Sequence, residues 1–332
     1  NDFKFLFEKV FESWRLREVL KTVQRSLTSY ERGAYKQGFE SIKKKLFALY
    51  TQELKEDFID RGEIFESFEE RKQSLINKRE NPEKYKGFLT GIKPLDDLTG
   101  GLWRGEIGCI FGKTMIGKST LALSFAKETY FQGYRVLYIT EEMPKLQVMF
   151  RFDSNLSKIE YKKFKDPVYL TEGEQKRWEY RIIELKELYD KGARFYVHHL
   201  PIGCDTAHIQ GEIEYLYMKE GKIPDLIVID DLDMMSYSKK YSREEGMVMN
   251  ARGLKSLAGM YNTGIWFTKQ AAASAYDKKV LEVQDLAFAK GVIHQSDVVL
   301  GLHQTEEEKK LGFLSLRVLK YRDGPVGKLV YL

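Results

Sequence analysis

The run Gly112-Lys113-Thr114-Met115-Ile116-Gly117-Lys118-Ser119 fits G-x-x-x-x-G-K-[ST], a spacing suited to gripping a chain of phosphates. Glycines at 112 and 117 let the backbone curl with its N–H groups turned inward, where a side chain would block an approaching oxygen. In such a loop Lys118 bridges the outer phosphates, the Ser119 hydroxyl sits on Mg²⁺, and Thr120 lies beside the inner phosphate. A glycine-rich turn that binds nothing would meet the same pattern, so the flanks decide. Before the loop, Gly105 to Phe111 is a turn signal followed by an apolar run suited to a buried strand. After it, Ser119 to Tyr130 carries Leu121, Leu123, Phe125 and Ala126 among good helix formers. Strand, glycine loop and helix is the order that phosphate binding requires, because the helix N-terminus adds its partial positive charge.

Nucleotide chemistry also needs acids, one for the metal and one for the attacking water. Leu226-Ile227-Val228-Ile229-Asp230 is an apolar strand ending in a carboxylate, the form that helps hold Mg²⁺ through its water shell. Asp231 and Asp233 follow at once and are expected to add acid close to the metal. An aspartate at a strand end could instead only cap the next turn. Val136-Leu137-Tyr138-Ile139 runs into Thr140-Glu141-Glu142-Met143-Pro144, which brings two more carboxylates to a strand end. Either is a candidate general base for water, and either could be a surface acid favoured near a helix N-terminus. Residue type alone leaves these readings even.

The elements that must carry these residues alternate. Apolar, β-rich runs occur at 135–140, 194–198, 225–230, 264–268, 297–302, 313–320 and 327–332, with helical stretches at 145–156, 172–191, 205–220 and 243–261 between them. Such alternation predicts an α/β fold: a mostly parallel sheet flanked by helices, with ligands at the carboxyl ends of the strands. Asp323-Gly324-Pro325 is a turn, so the sheet is expected to close with an antiparallel hairpin.

Ahead of this core, apolar residues recur at helical spacing from Phe3 to about Phe58. Lys43-Lys44-Lys45 within that stretch reads as a solvated helix face more readily than as a nucleic-acid contact. A further helix over 63–78 is expected to bury Ile64, Phe65, Phe68, Leu75 and Ile76, and Asn81-Pro82 stops it. The expected organisation is therefore a small α-helical region over 1–62, a linker helix and linker over 63–87, and an ATPase domain over 88–332. No internal repeat or low-complexity segment interrupts it.

Among the 332 residues, 43% are hydrophobic and 31% charged, a globular rather than a disordered balance with ample material for a core. No apolar run reaches membrane-spanning length and the first residues are not signal-like, so a cytoplasmic site, or the host cytoplasm for a viral protein, is expected. The chain opens on Asn rather than Met, and an upstream segment is expected. Cys109 and Cys204 stand far apart and the five histidines lack ligand spacing, which excludes a zinc module or a disulfide framework. A net charge of +5 permits a polyanionic partner.

Several motifs taken together are more specific than any one of them. Thr90-Gly91-Ile92 to Gly101-Leu102, the phosphate loop, Glu142-Met143-Pro144-x-x-Gln147 followed by Arg151, the Asp230 strand, and Lys320-Tyr321-Arg322-Asp323-Gly324-Pro325-Val326-Gly327 occur in order. This set resembles the RecA-like motor domain of DnaB-family replicative DNA helicases, over about 74–332. The resemblance implies a P-loop ATPase that uses ATP and Mg²⁺. It assigns water activation to Glu142 rather than Glu141, nucleotide contact to Arg151, and γ-phosphate sensing to Gln270. It also implies that Lys320 and Arg322 reach into a neighbouring subunit's site; without it, Lys320-Tyr321-Arg322 would be an ordinary exposed strand end.

The same resemblance implies a homo-oligomeric ring, expected to be hexameric, that moves 5′ to 3′ on single-stranded DNA, with a primase or helicase loader as partner. Two segments fit the DNA-facing loops by position: one with Lys239, Lys240 and Arg243, the other with Lys278, Lys279, Lys290 and Gly291. The chain departs from the family at Asp231-Leu232-Asp233, where Tyr-Leu-Gln is usual, and at Ala287-Phe288, where Arg-Glu is usual; the second departure bears on the DNA contacts. Two alternatives use the same core: a RecA- or KaiC-like ATPase without unwinding, or a nucleotide-gated loader or adaptor.

Overall fold

In the computed structural model the described residues are 16–28, 33–35, 38, 42, 64–65, 67–81, 86–271 and 290–332. The chain divides into two compact units, Asn1–Phe68 and Glu69–Leu332. Within the first, residues 16–28 are helical, and Leu16, Leu20 and Leu27 are exposed while Ser26 is buried. Most of the apolar positions expected to pattern that region, and Lys43 to Lys45, lie outside the described residues.

The second unit is built on one sheet of eight strands. In chain order these are β1 (Ile107–Gly112), β2 (Arg135–Thr140), β3 (Arg194–His199), β4 (Leu226–Asp230), β5 (Gly264–Gln270), β6 (Val298–His303), β7 (Ser315–Tyr321) and β8 (Leu329–Tyr331). In space they run β3-β2-β4-β5-β1-β6-β7-β8. The first six are mutually parallel, while β7 and β8 join antiparallel and form the expected closing hairpin. β1, β4 and β6 are buried at every residue, as strands covered on both faces are, whereas β3 at the sheet edge buries only Val197.

From Phe68 onward ten helices are described: α1 (Phe68–Glu80), α2 (Lys93–Thr99), α3 (Lys118–Phe131), α4 (Lys145–Ser157), α5 (Tyr161–Lys165), α6 (Glu172–Asp190), α7 (Thr206–Glu220), α8 (Arg243–Tyr261), α9 (Lys290–Gln295) and α10 (Glu306–Leu311). Helix α3 packs through Leu121, Ala122, Leu123, Phe125 and Ala126, and Phe125 meets the ring of Trp266 on β5 at 5.1 Å. That indole lies across β1 where Gly108 has no side chain, and a Cβ there would come within 2.2 Å of the ring.

The helix expected over 63–78 differs from the observed one. It begins at Phe68, Ile64 and Phe65 lie in a turn before it, and α1 buries no residue. Ile64, Phe65, Phe68 and Leu75 are all more than half exposed. Helical spacing of apolar residues reports that one face is apolar; it does not report a surface that covers it. Residues 82–85 of the expected linker lie outside the described set.

Gly108→Ala forces either the indole or the strand to move in a closely packed core. The expected loss is about 1–3 kcal/mol, read as a lower urea midpoint with an unchanged slope.

Candidate nucleotide-binding site

Parallel pairing brings the chemistry to one sheet edge. Gly112 ends β1 opposite Gln270 on β5 and Leu302 on β6, and Thr140 ends β2 opposite Asp230 on β4. The loop from Lys113 to Gly117 turns directly into α3, with Gly117 at φ 104 as the residue before the helix. That conformation favours glycine, and no side chain caps the first turn of α3. By contrast α6, α7, α8 and α10 are closed by capping boxes from Thr171, Asp205, Ser242 and Thr305. Lys118 is buried, and its Nζ donates to the Lys113 carbonyl at 2.9 Å across the loop.

Asp230 lies behind this loop, 2% exposed. Its carboxylate accepts from Ser119 Oγ at 3.0 Å and from Thr268 Oγ1 at 2.8 Å on one oxygen, and from the Tyr138 hydroxyl at 3.0 Å on the other. Burial first, and then the adjacent carboxylate, push the Tyr138 hydroxyl well above its ordinary pKa, so it stays a donor. Tyr138 and Thr268 were not picked out from sequence. Both lie on strands that the alternation identified, but only the register of β2, β4 and β5 aims them at Asp230.

The acids that follow Asp230 are used differently from expectation. Asp233 accepts from Lys269 Nζ at 2.9 Å and from the Gln270 backbone N–H at 2.7 Å, and both charged side chains are nearly buried. It neutralises an interior lysine rather than adding acid at a metal. Asp231 accepts from the Met234 N–H at 3.1 Å, and burial, helped by Asp233 and Asp230, raises its pKa to about 6. A strand followed by Asp-Leu-Asp reveals neither use, because Lys269 is remote in sequence.

The two glutamates separate clearly. Glu141 is buried and accepts from Gly203 N at 2.7 Å, Cys204 N at 3.2 Å and Cys204 Sγ at 3.0 Å, whereas Glu142 is exposed. Glu142 and Arg151 both lie close enough to the Tyr138 hydroxyl to act on it electrostatically. Arg151, on α4, holds its guanidinium 5.0 Å from the Tyr161 ring centroid, and its buried Nε has no hydrogen-bond partner among the described residues. Gln270 Oε1 accepts from Thr114 Oγ1 of the loop at 3.4 Å. Thr120 sits in the first turn of α3.

Lys320 and Arg322 stand at the other edge. Because β7 is antiparallel, Tyr321 pairs with Val298 at the start of β6, about 15 Å along the strands from the phosphate loop. Lys320 Nζ donates to the carbonyls of Ile293, His294 and Ser296 at 2.6–3.2 Å, and burial lowers its pKa. Arg322 Nη1 pairs with Asp297 at 2.8 Å while remaining 56% exposed. Asp297 is itself buried and also accepts from Lys255 and the Ile107 N–H.

Of the residues suggested for DNA, Lys239, Lys240 and Arg243 are exposed on the segment that leads into α8. Arg243 lies 4.0 Å from Asp233. Gly291 has a packing reason to be glycine, since a Cβ would come within 2.3 Å of the Val248 side chain on α8. Lys290 begins α9, and Lys278 and Lys279 lie outside the described residues. No group of three or more His, Cys, Asp or Glu among the described residues is arranged to cage a metal.

Residues 87–331 match the family described as DnaB-like helicase C terminal domain. The chain belongs to this family. A probable replicative DNA helicase of Trieres chinensis is 25% identical over 308 residues, covering 87% of this chain and 64% of that protein. A DnaB-like replicative helicase of Enterobacteria phage T4 is 25% identical over 280 residues, covering 79% and 54% respectively. The chain thus spans between about half and two thirds of these DnaB-type relatives. Among solved structures, an isolated ATPase domain superposes with a TM-score of 0.70 at 20% identity, covering 82% of this chain and 95% of that one. A DnaB-like replicative helicase solved in a study of its interactions with primase gives 0.72 at 18% identity, covering 100% and 76%. At such identities these two likenesses are likenesses of fold, and they match the mostly parallel, helix-flanked sheet of the DnaB-type ATPase.

Lys269→Met leaves the nearly buried Asp233 without its close cation, with the exposed Arg243 4.0 Å away. The expected loss is about 3–5 kcal/mol of stability, with most of it regained in Lys269→Met/Asp233→Asn, read by thermal unfolding of the single and double variants.

Proposed function

We propose that this chain is the ATP-hydrolysing motor of a replicative DNA helicase that works as a ring, a hexamer on the family resemblance, and moves 5′ to 3′ on single-stranded DNA to separate the duplex. The observation that carries the reading is the division of the machinery between two sheet edges. The phosphate loop, Asp230, Glu142 and Gln270 share one, and Arg322 lies at the other, too far to serve its own loop. A second copy would bring an Arg322 to the site, so turnover would depend on assembly.

Ser119 Oγ, a hard oxygen donor of the kind Mg²⁺ takes, lies 3.0 Å from the Asp230 carboxylate, which would help hold the ion through its water shell. Bound there, Mg²⁺ would neutralise charge on the phosphate oxygens. Lys118 would exchange the Lys113 carbonyl for phosphate oxygens, and the uncapped N–H groups of α3 would receive the inner phosphates. Glu142, free of the contacts that hold Glu141, would orient water in line with the γ-phosphorus, with Gln270 beside Thr114 to register the phosphate. Arg151 would contact nucleotide from α4. Lys320 would act with Arg322 from the neighbouring copy; its three carbonyl contacts support a part in holding that strand end in shape.

Exposed Lys239, Lys240 and Arg243 are suited to tracking a phosphate backbone without reading sequence. Their contribution should weaken steeply as salt rises. A primase is the proposed protein partner, with a helicase loader as the other, in the cytoplasm or that of a host. The motor is tested by ATP hydrolysis with and without single-stranded DNA, using wild type, Arg322→Ala, Glu142→Gln and an equal mixture of the two variants. DNA should stimulate wild type, each variant should fall by about 10²-fold or more, and mixing should restore part of the turnover. Normal hydrolysis by Arg322→Ala would remove the shared site and, with it, the ring motor.

A further inference from the structure

Glu141 carries a carboxylate into the interior with no salt bridge to it among the described residues. Its partners are two backbone N–H groups and a thiol, all on the turn between β3 and α7. A structural peg in that place needs no charge, since an amide could accept from the same N–H groups without the cost of burying an ion. Burial, and then the carboxylate itself, raise the pKa of Cys204, so its S–H remains a donor. The result is a charge-assisted clamp on both carboxylate oxygens.

What the clamp joins gives it a use. On one side the next residue is Glu142, whose side chain is exposed, in a segment also tied by Glu141 N to the Asp230 carbonyl at 3.2 Å and by Met143 N to Thr140 Oγ1 at 3.0 Å. On the other side the Cys204 carbonyl accepts from Ser236 N at 2.8 Å, and the Ser236 carbonyl accepts from Asn250 Nδ2 on α8 at 3.2 Å. Ser236 opens the segment that exposes Lys239 and Lys240. Hydrogen bonds therefore join Ser236, which precedes Lys239 along the chain, to Cys204, and Cys204 to Glu141, the chain neighbour of Glu142.

We propose that Glu141 is a positioning residue that couples the Lys239–Lys240 segment to Glu142, so that nucleic-acid phosphates held by those lysines set the aim of the water-orienting carboxylate. The inference rests on the motor reading above and deepens it, by naming the path through which DNA governs turnover. It accounts for a buried carboxylate, held by two N–H groups and a thiol, immediately beside the proposed base.

The test compares wild type, Glu141→Ala, Glu141→Gln and Cys204→Ala in ATP hydrolysis with and without oligo-dT, alongside oligo-dT affinity by anisotropy and KM for ATP. In Glu141→Ala the stimulation by DNA should fall about tenfold, while oligo-dT affinity and KM stay within about twofold of wild type. Glu141→Gln, which keeps acceptors for the N–H groups, should recover part of it. Stimulation of Glu141→Ala equal to wild type overturns the coupling, as does a parallel loss of KM and DNA affinity, the mark of a structural role alone. Should Glu141→Ala not fold, Cys204→Ala carries the test: it deletes one donor, is expected to lower stimulation about twofold to fivefold, and undiminished stimulation overturns the proposal. Wild type that does not respond to DNA at all would overturn the motor reading and this coupling together.

Discussion

The Asp230 carboxylate is the point at which the phosphate-binding edge is held together. It receives hydroxyls from Ser119 at the start of α3, Tyr138 on β2 and Thr268 on β5, so one buried charge ties the loop's helix to three neighbouring strands. Three donors satisfy an ion that would otherwise be costly inside an apolar sheet. They also orient it, because each donor is fixed by the packing of its own element. The side chain that would share a metal with Ser119 is therefore preorganised by the core behind it.

A second buried carboxylate does similar work at the opposite edge. Asp297 holds Lys255, the β1 backbone at Ile107 and the exposed Arg322. Asp230 faces inward to neutral donors, whereas Asp297 presents a cation to the outside. The reversal of direction between β6 and β7 separates these two ends by the length of a strand. That separation gives the proposed division of a site between copies a mechanical basis, since no side-chain rotation spans it.

Acid density along this chain is misleading until its partners are known. Asp231 closes a turn, Asp233 neutralises Lys269, and Glu141 grips the turn at Gly203 and Cys204. Of the five acids in the two strand-end clusters, Glu142 alone is exposed, and among the described hydrogen bonds Asp230 alone touches the phosphate loop's helix. The interior claims the others because each meets a donor within hydrogen-bonding distance, and an acid so engaged is poorly placed to serve a ligand.

The sequence by itself determined the strand–loop–helix of the phosphate site, the alternation that makes the sheet, the closing hairpin and the family. These follow from local constraints: glycine where the backbone must curl, and apolar runs where a strand is buried. It could name Asp230, and where residue type left Glu141 and Glu142 even, the family resemblance favoured Glu142. Only the tertiary structure buried Glu141 against Gly203 and Cys204, recruited Tyr138 and Thr268, gave Asp233 to Lys269, and left the apolar side chains of 64–75 exposed instead of buried. Each of those outcomes turns on strand register or on contacts between residues tens of positions apart. Periodicity within a segment carries no information about which distant segment will lie beside it.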